Sequence, residues 1–181
     1  MKKFLTFFWE VVKIIVLALL IVIPIRYFLF QPFLVKGQSM LPSFHEGDYL
    51  IIDQISYRLR EPERGEVIVF RSPVIPSQRY IKRIIGLPGE EIEIKDGQVI
   101  IYRDGESVLL DESAYLSDSV VTLGNIRKAL GEYEYFVLGD NRPVSSDSRK
   151  WGVLPKENVI GRVLFRLWPV TALAKIEAPA Y

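Results

Sequence analysis

The chain has 181 residues, 49% of them hydrophobic, and a formal net charge of +1. That length suits one compact domain with extras, and that charge balance removes any strong electrostatic case for nucleic acid as a partner. There is no cysteine, which excludes disulfides, thiolate-held metal and a thiol nucleophile while leaving the redox compartment open.

The mean hydropathy of +0.18 is high for a soluble domain, and the excess sits at the N-terminus. Residues 4–30 read FLTFFWEVVKIIVLALLIVIPIRYFLF, interrupted by Glu10, Lys13 and Arg26, with a clean apolar run over 14–25. A bilayer core takes ~20 apolar helical residues. A cleaved secretory signal would need a small-x-small site behind the apolar core, and RYFLFQPFLV offers none. The pattern predicts an uncleaved anchor over 14–30. Residues 1–13 would be cytoplasmic, because Lys2, Lys3 and Lys13 precede the core. The domain 31–181 would lie on the outer face. Glu10 and Lys13, three apart on a helix, are placed to pair.

From Gln31 onward, prolines at 32, 42, 62, 73, 76 and 88 break the chain too often for long helices. Between them DYLIIDQIS, GEVIVFRS, RYIKRIIG, EEIEI, QVIIYR, EYFVLGD and VIGRVLFRLW read as strands. Asp96-Gly97, inside EIEIKDGQVIIYR, marks a two-residue hairpin. No βαβ rhythm is present. The expected fold is mainly β: one N-terminal transmembrane helix, then an antiparallel-β catalytic domain. Residues 104–131, more polar and less periodic, form a small inserted cap in this reading.

Three stretches carry chemistry. VKGQSMLPS places Ser39 in a turn just behind the apolar segment. A serine hydroxyl needs a base to act as nucleophile. The one histidine, His45, is near in sequence, but nothing else supports a Ser-His-Asp triad. Lysine is the other option, provided burial lowers its pKa. Lys82, in RYIKRIIGLPGE, lies in an apolar run. Period two puts it on one face with Tyr80 and Ile84, and Arg83 on the other with Ile81 and Ile85. Either cation could be the solvated one. GDNRPVSSDSRKWG, residues 139–152, is a polar turn after an apolar strand. Asp147 with Arg142 and Arg149 can form a charge-assisted network there, with Ser145 or Ser146 as a hydrogen-bonding partner to a buried lysine.

GQSMLPS, RYIKRIIGLPGE and GDNRPVSSDSRKWG, in that order behind an anchor and with GDYLIIDQIS between the first two, resemble the bacterial type I signal peptidases. The resemblance runs from the anchor to VIGRVLFRLWP. It implies Ser39 as nucleophile, Lys82 as general base and Ser145 as the residue orienting the lysine. Asp147, Arg142, Arg149 and Asp140 would support the site's shape. Val35, Gly37, Met40, Phe44, Tyr80 and Ile81 would meet substrate. Some members of that family carry a serine at the position of Gly37 whose hydroxyl helps hold the oxyanion. Here the hole would rest on the Ser39 backbone N–H. Ser43 stands where threonine is common.

The implied partners are secretory preproteins and a lipid bilayer, the implied location is a bacterial plasma membrane, and no metal or cofactor is required. Two other readings compete. A self-cleaving repressor of similar chemistry would carry a DNA-binding domain where this chain has its apolar segment. An inactive membrane-anchored β scaffold would keep its role without Ser39.

Overall fold

The computed structural model describes residues 2–24, 30–117, 119–179 and 181. Helix α1 spans Lys2–Pro24, and Lys13 Nζ meets Glu10 Oε1 at 2.9 Å, the pairing expected from their spacing. Phe4, Phe7, Phe8, Trp9, Ile14 and Leu17 on this helix are exposed. Among the described residues, no helix is long and apolar enough to cross a membrane. The expected span 14–30 includes residues 25–29, with Arg26, which lie outside the described residues.

The strands in chain order are β1 Phe30–Leu34, β2 Tyr49–Asp53, β3 Val67–Arg71, β4 Arg79–Gly86, β5 Glu91–Lys95 and β6 Gln98–Arg103. They continue with β7 Glu106–Leu109, β8 Ile126–Ala129, β9 Glu134–Leu138, β10 Leu154–Pro155, β11 Val159–Trp168 and β12 Ala174–Lys175. Two one-turn helices, α2 Ser56–Leu59 and α3 Ser148–Trp151, sit between them. All seven segments expected as strands are strands.

The larger sheet runs β1-β2-β11-β3-β4-β9-β10, with β12 on β11, and its pairings are antiparallel. β1 includes Pro32, which lacks an amide donor. The strand tolerates it because it lies at the sheet edge, with one neighbour to satisfy. Phe30, assigned by its hydropathy to the anchor, pairs with Asp53.

The smaller sheet is β7-β6-β5-β8. Asp96 and Gly97, at φ 52° and 82°, close the β5–β6 hairpin as the positive-φ pair a tight primed turn demands. Asp104 and Gly105, at φ 54° and 83°, join β6 to β7 in the same way. The stretch 104–131 therefore supplies the two outer strands of this sheet. β7 is exposed along its length, so no apolar alternation marks it.

Three clusters make the core. Val35, Met40, Phe44, Leu50, Ile52, Val67, Val69, Ile81 and Val163 pack beneath the Ser39 turn. Ile85, Ile92, Ile94, Val99, Ile101, Phe136 and Leu138 join the two sheets. Ile68, Phe70, Ile84, Tyr135, Val137 and Leu154 form a third cluster on the opposite face of β3, β4 and β9. β4 lies between β3 and β9 and is buried from Ile81 to Gly86. Successive side chains of a strand leave on opposite faces, and here both faces are covered. That is why neither Lys82 nor Arg83 is solvated.

Candidate active site

The segment after β1 is tied down before it reaches Ser39. Val35 N–H donates to Asp48 O and Gly47 N–H to Val35 O, both at 3.0 Å. Gly37 sits at φ 81°, a conformation that a side chain would strain. Met40 and Phe44 are buried and close one turn, Phe44 N–H to Met40 O at 2.9 Å. Ser39 is left half-buried at the head of that turn. The loop after β9 clamps it. Asn141 N–H donates to Ser39 O at 3.1 Å, and Asn141 Nδ2 donates to Gln38 O at 2.9 Å. Among the described residues, nothing accepts the Ser39 N–H.

Lys82, 3% exposed, has its Nζ 2.6 Å from Ser39 Oγ and donates to Ile81 O at 2.8 Å. Burial pushes its pKa down from 10.5 to about 8, against the opposing pull of the Asp147 and Asp140 carboxylates. Arg83, on the other face, makes a two-pronged pair with Asp140, Nε to Oδ1 at 2.9 Å and Nη2 to Oδ2 at 2.6 Å. It also donates to Gly65 O at 2.8 Å. A carboxylate–guanidinium fork of this kind fixes both orientation and distance.

Asp147 receives Arg149 Nη2 at 2.8 Å and Nε at 2.9 Å, and Gly139 N–H at 3.1 Å. Burial pushes its pKa up, but the Arg149 guanidinium and Gly139 outweigh that and hold the carboxyl below the usual range. The network expected from the sequence forms in part. Arg142 turns to Glu112, at 2.5 and 2.6 Å, and to Thr122, both within 104–131, while its backbone carbonyl accepts from Arg149. The bond from Ser145 to Lys82 is not made: the Ser145 hydroxyl is buried beside Asp147 and helps hold that carboxyl down.

A cleft of about 200 Å³ opens beside the Ser39–Lys82 contact, lined by Phe33, Leu34, Lys36, Ser39, Arg79, Tyr80, Ile81 and Lys82. Of the expected substrate residues, Tyr80 and Ile81 line it. Val35, Met40 and Phe44 do not; they face inward as core, because the turn that lifts Ser39 points its apolar neighbours into the domain. Gly37 is exposed beside it. Phe33 and Leu34, just ahead of VKGQSMLPS, also line it, as do Lys36 and Arg79, which lie inside the quoted stretches but were given no role. His45 is exposed and does not line the cleft.

Gly139 is where the strand before the clamp loop meets both the Ser39 turn and Ser145. A Cβ there would stand 2.4 Å from Ser39 O and 2.2 Å from Ser145 Oγ. Gly139→Ala is expected to displace the Ser39 turn, costing about 1–3 kcal/mol by overpacking and about 100-fold in rate from misplacement. Thermal unfolding and reaction rate measured on the same preparation check both.

The family model described as signal peptidase, peptidase S26, matches residues 8–168. The chain is 37% identical over 174 residues to "Probable signal peptidase I-1" of Synechocystis sp., covering 90% of this chain and 86% of that protein. It is 40% identical over 166 residues to "Probable signal peptidase I-2" of the same organism, covering 89% and 73%. "Signal peptidase I" of Leptolyngbya laminosa is 35% identical over 177 residues, covering 94% and 84%.

Proposed function

The chain belongs to the signal peptidase family, peptidase S26, as a type I signal peptidase, and from that premise we propose that it cuts secretory preproteins with Ser39 as nucleophile and Lys82 as general base. The observation that carries this reading is the 2.6 Å contact between Lys82 Nζ and Ser39 Oγ, made by a lysine whose burial lowers its pKa to about 8, so that half of it is neutral at that pH.

The neutral amine takes the Ser39 proton as Oγ attacks the scissile carbonyl carbon. The Ser39 N–H stabilises the oxyanion. The protonated Lys82 then gives its proton to the leaving amine, and the C–N bond breaks. Water, deprotonated by the same lysine, releases the acyl group and restores the hydroxyl. Asn141 holds the two carbonyls around the nucleophile, and the Arg83–Asp140 and Asp147–Arg149 pairs hold the walls.

The cut falls after a small-x-small segment, and the cleft of about 200 Å³ suits alanine-sized side chains. In this reading the apolar segment 14–30 is the anchor, residues 1–13 lie in the cytoplasm, and the domain 31–181 sits on the outer face of a bacterial plasma membrane. The exposed apolar side chains of α1 support this, since such a surface calls for an apolar cover.

Purified protein and a secretory precursor in detergent test the reading. Wild type cleaves after the small-x-small segment, and Ser39→Ala loses at least about 10⁴-fold. Wild-type kcat/KM rises with pH, half-maximal near pH 8, because only the unprotonated lysine accepts a proton. A rise centred near 10.5, or full activity in Ser39→Ala, overturns the dyad.

A further inference from the structure

Two exposed cations, Lys36 and Arg79, line the same cleft as Ser39 and Lys82, one from each of its two segments. Lys36 follows β1 and stands three residues before Ser39. Arg79 opens β4, about 10 Å along the strand from Lys82. Neither makes an ion pair or side-chain hydrogen bond among the described residues, in a domain where most arginines do. Among the described residues, no carboxylate lines the cleft. The carboxylates that act on Lys82, Asp147 and Asp140, are paired with Arg149 and Arg83. The rim of the cleft is therefore uncompensated positive charge beside apolar walls, Phe33, Leu34 and Tyr80.

We propose that Lys36 and Arg79 are specificity-determining residues that favour precursors carrying carboxylates beside the small-x-small segment. This rests on the peptidase reading above. The buried Lys82 and the limited volume decide which side chains must be small. The rim cations act on the positions between and beyond those, whose side chains point away from the pocket floor by the period of an extended strand. Opposite charge on such positions raises encounter and holds the strand in register, and like charge is rejected.

The test uses three precursors identical except for two residues flanking the small ones: both Glu, both Gln, or both Lys. The Gln precursor reports whether the protein is a peptidase at all, and so separates failure of that reading from failure of this one. In detergent at low ionic strength, kcat/KM for the Glu precursor is expected to exceed that for the Lys precursor by about five- to tenfold. The ratio should shrink toward one in about 1 M salt. In the double variant Lys36→Glu, Arg79→Glu the order reverses. The ratio within one enzyme is the readout, so a general loss of rate cancels. Parity of the three precursors in wild type, or the wild-type ratio kept in the double variant, overturns the proposal. So does a loss equal for all three precursors that appears only on phosphatidylglycerol vesicles and not on phosphatidylcholine, which assigns the cations to lipid headgroups.

Discussion

Lys82→Met is expected to abolish cleavage and to stabilise the fold at neutral pH. Loss of the base removes at least about 10³-fold in rate. The stability gain follows from the same burial. An ordinary lysine titrates at 10.5, and in the folded chain Lys82 titrates at about 8. Between those values the unfolded chain binds more protons than the folded one, so stability rises with pH across that window. Below pH 8 the full deficit is present; above 10.5 it is gone. The interval corresponds to roughly 3 kcal/mol, an upper bound on what methionine, of similar length and no charge, recovers at pH 6. Urea unfolding of wild type and Lys82→Met at pH 6, 8 and 10 checks it. The gain must shrink as pH rises. An equal gain at every pH means that charge burial is not its source. Asp147→Asn takes away the carboxylate that most strongly favours the protonated lysine. The acid limb of its residual activity should therefore move to lower pH.

The strands were legible because each had a local signature, whereas the pairing of Ser39 with Lys82 was implied only by the resemblance of three stretches in order, neither residue standing out alone. Alternation and flanking turn residues marked seven strands, and Asp96-Gly97 marked its hairpin. The same dipeptide at Asp104-Gly105 carried the same message, and it passed unread because β7 behind it is exposed and shows no alternation. β1 was hidden by Pro32, which reads as a break until one knows that the strand has a neighbour on one side only. Period two separated Lys82 from Arg83 but gave no means of deciding which was solvated. Both faces of β4 are covered, and coverage is a property of the sheet order. The partner of Arg142 was equally out of reach. Asp147, five residues away, looked the natural choice, whereas Glu112, thirty residues upstream, takes the guanidinium. For the neighbours of Ser39 the resemblance implied substrate contact, and burial in the core was the equal alternative. The turn that exposes the hydroxyl sends Met40 and Phe44 into the core.

The Arg83–Asp140 pair should prove the most costly polar contact to break. Both side chains are almost wholly buried, 5% and 0% exposed. Asp140→Ala leaves the guanidinium in place with Gly65 O and a long contact to Ser43 and no counter-charge. Breaking one side of a buried pair costs about 3–5 kcal/mol, which for a chain of this size lowers Tm by about 10 °C or more. The charge, rather than the lost volume, is the cause, and a second change separates the two. Arg83→Met combined with Asp140→Leu removes both charges and refills the space. It should stand well above Asp140→Ala in Tm, because the desolvation of two ions is relieved along with their attraction. Activity should not return with stability. Asp140 lies between Gly139, which abuts the nucleophile turn, and Asn141, which clamps it. Without the fork to Arg83 that loop loses the contact fixing its position on β4, and about 1 Å of drift at Ser39 costs about 100-fold. A double variant that is stable and cleaves at the wild-type rate would show that the clamp is set by Asn141 alone.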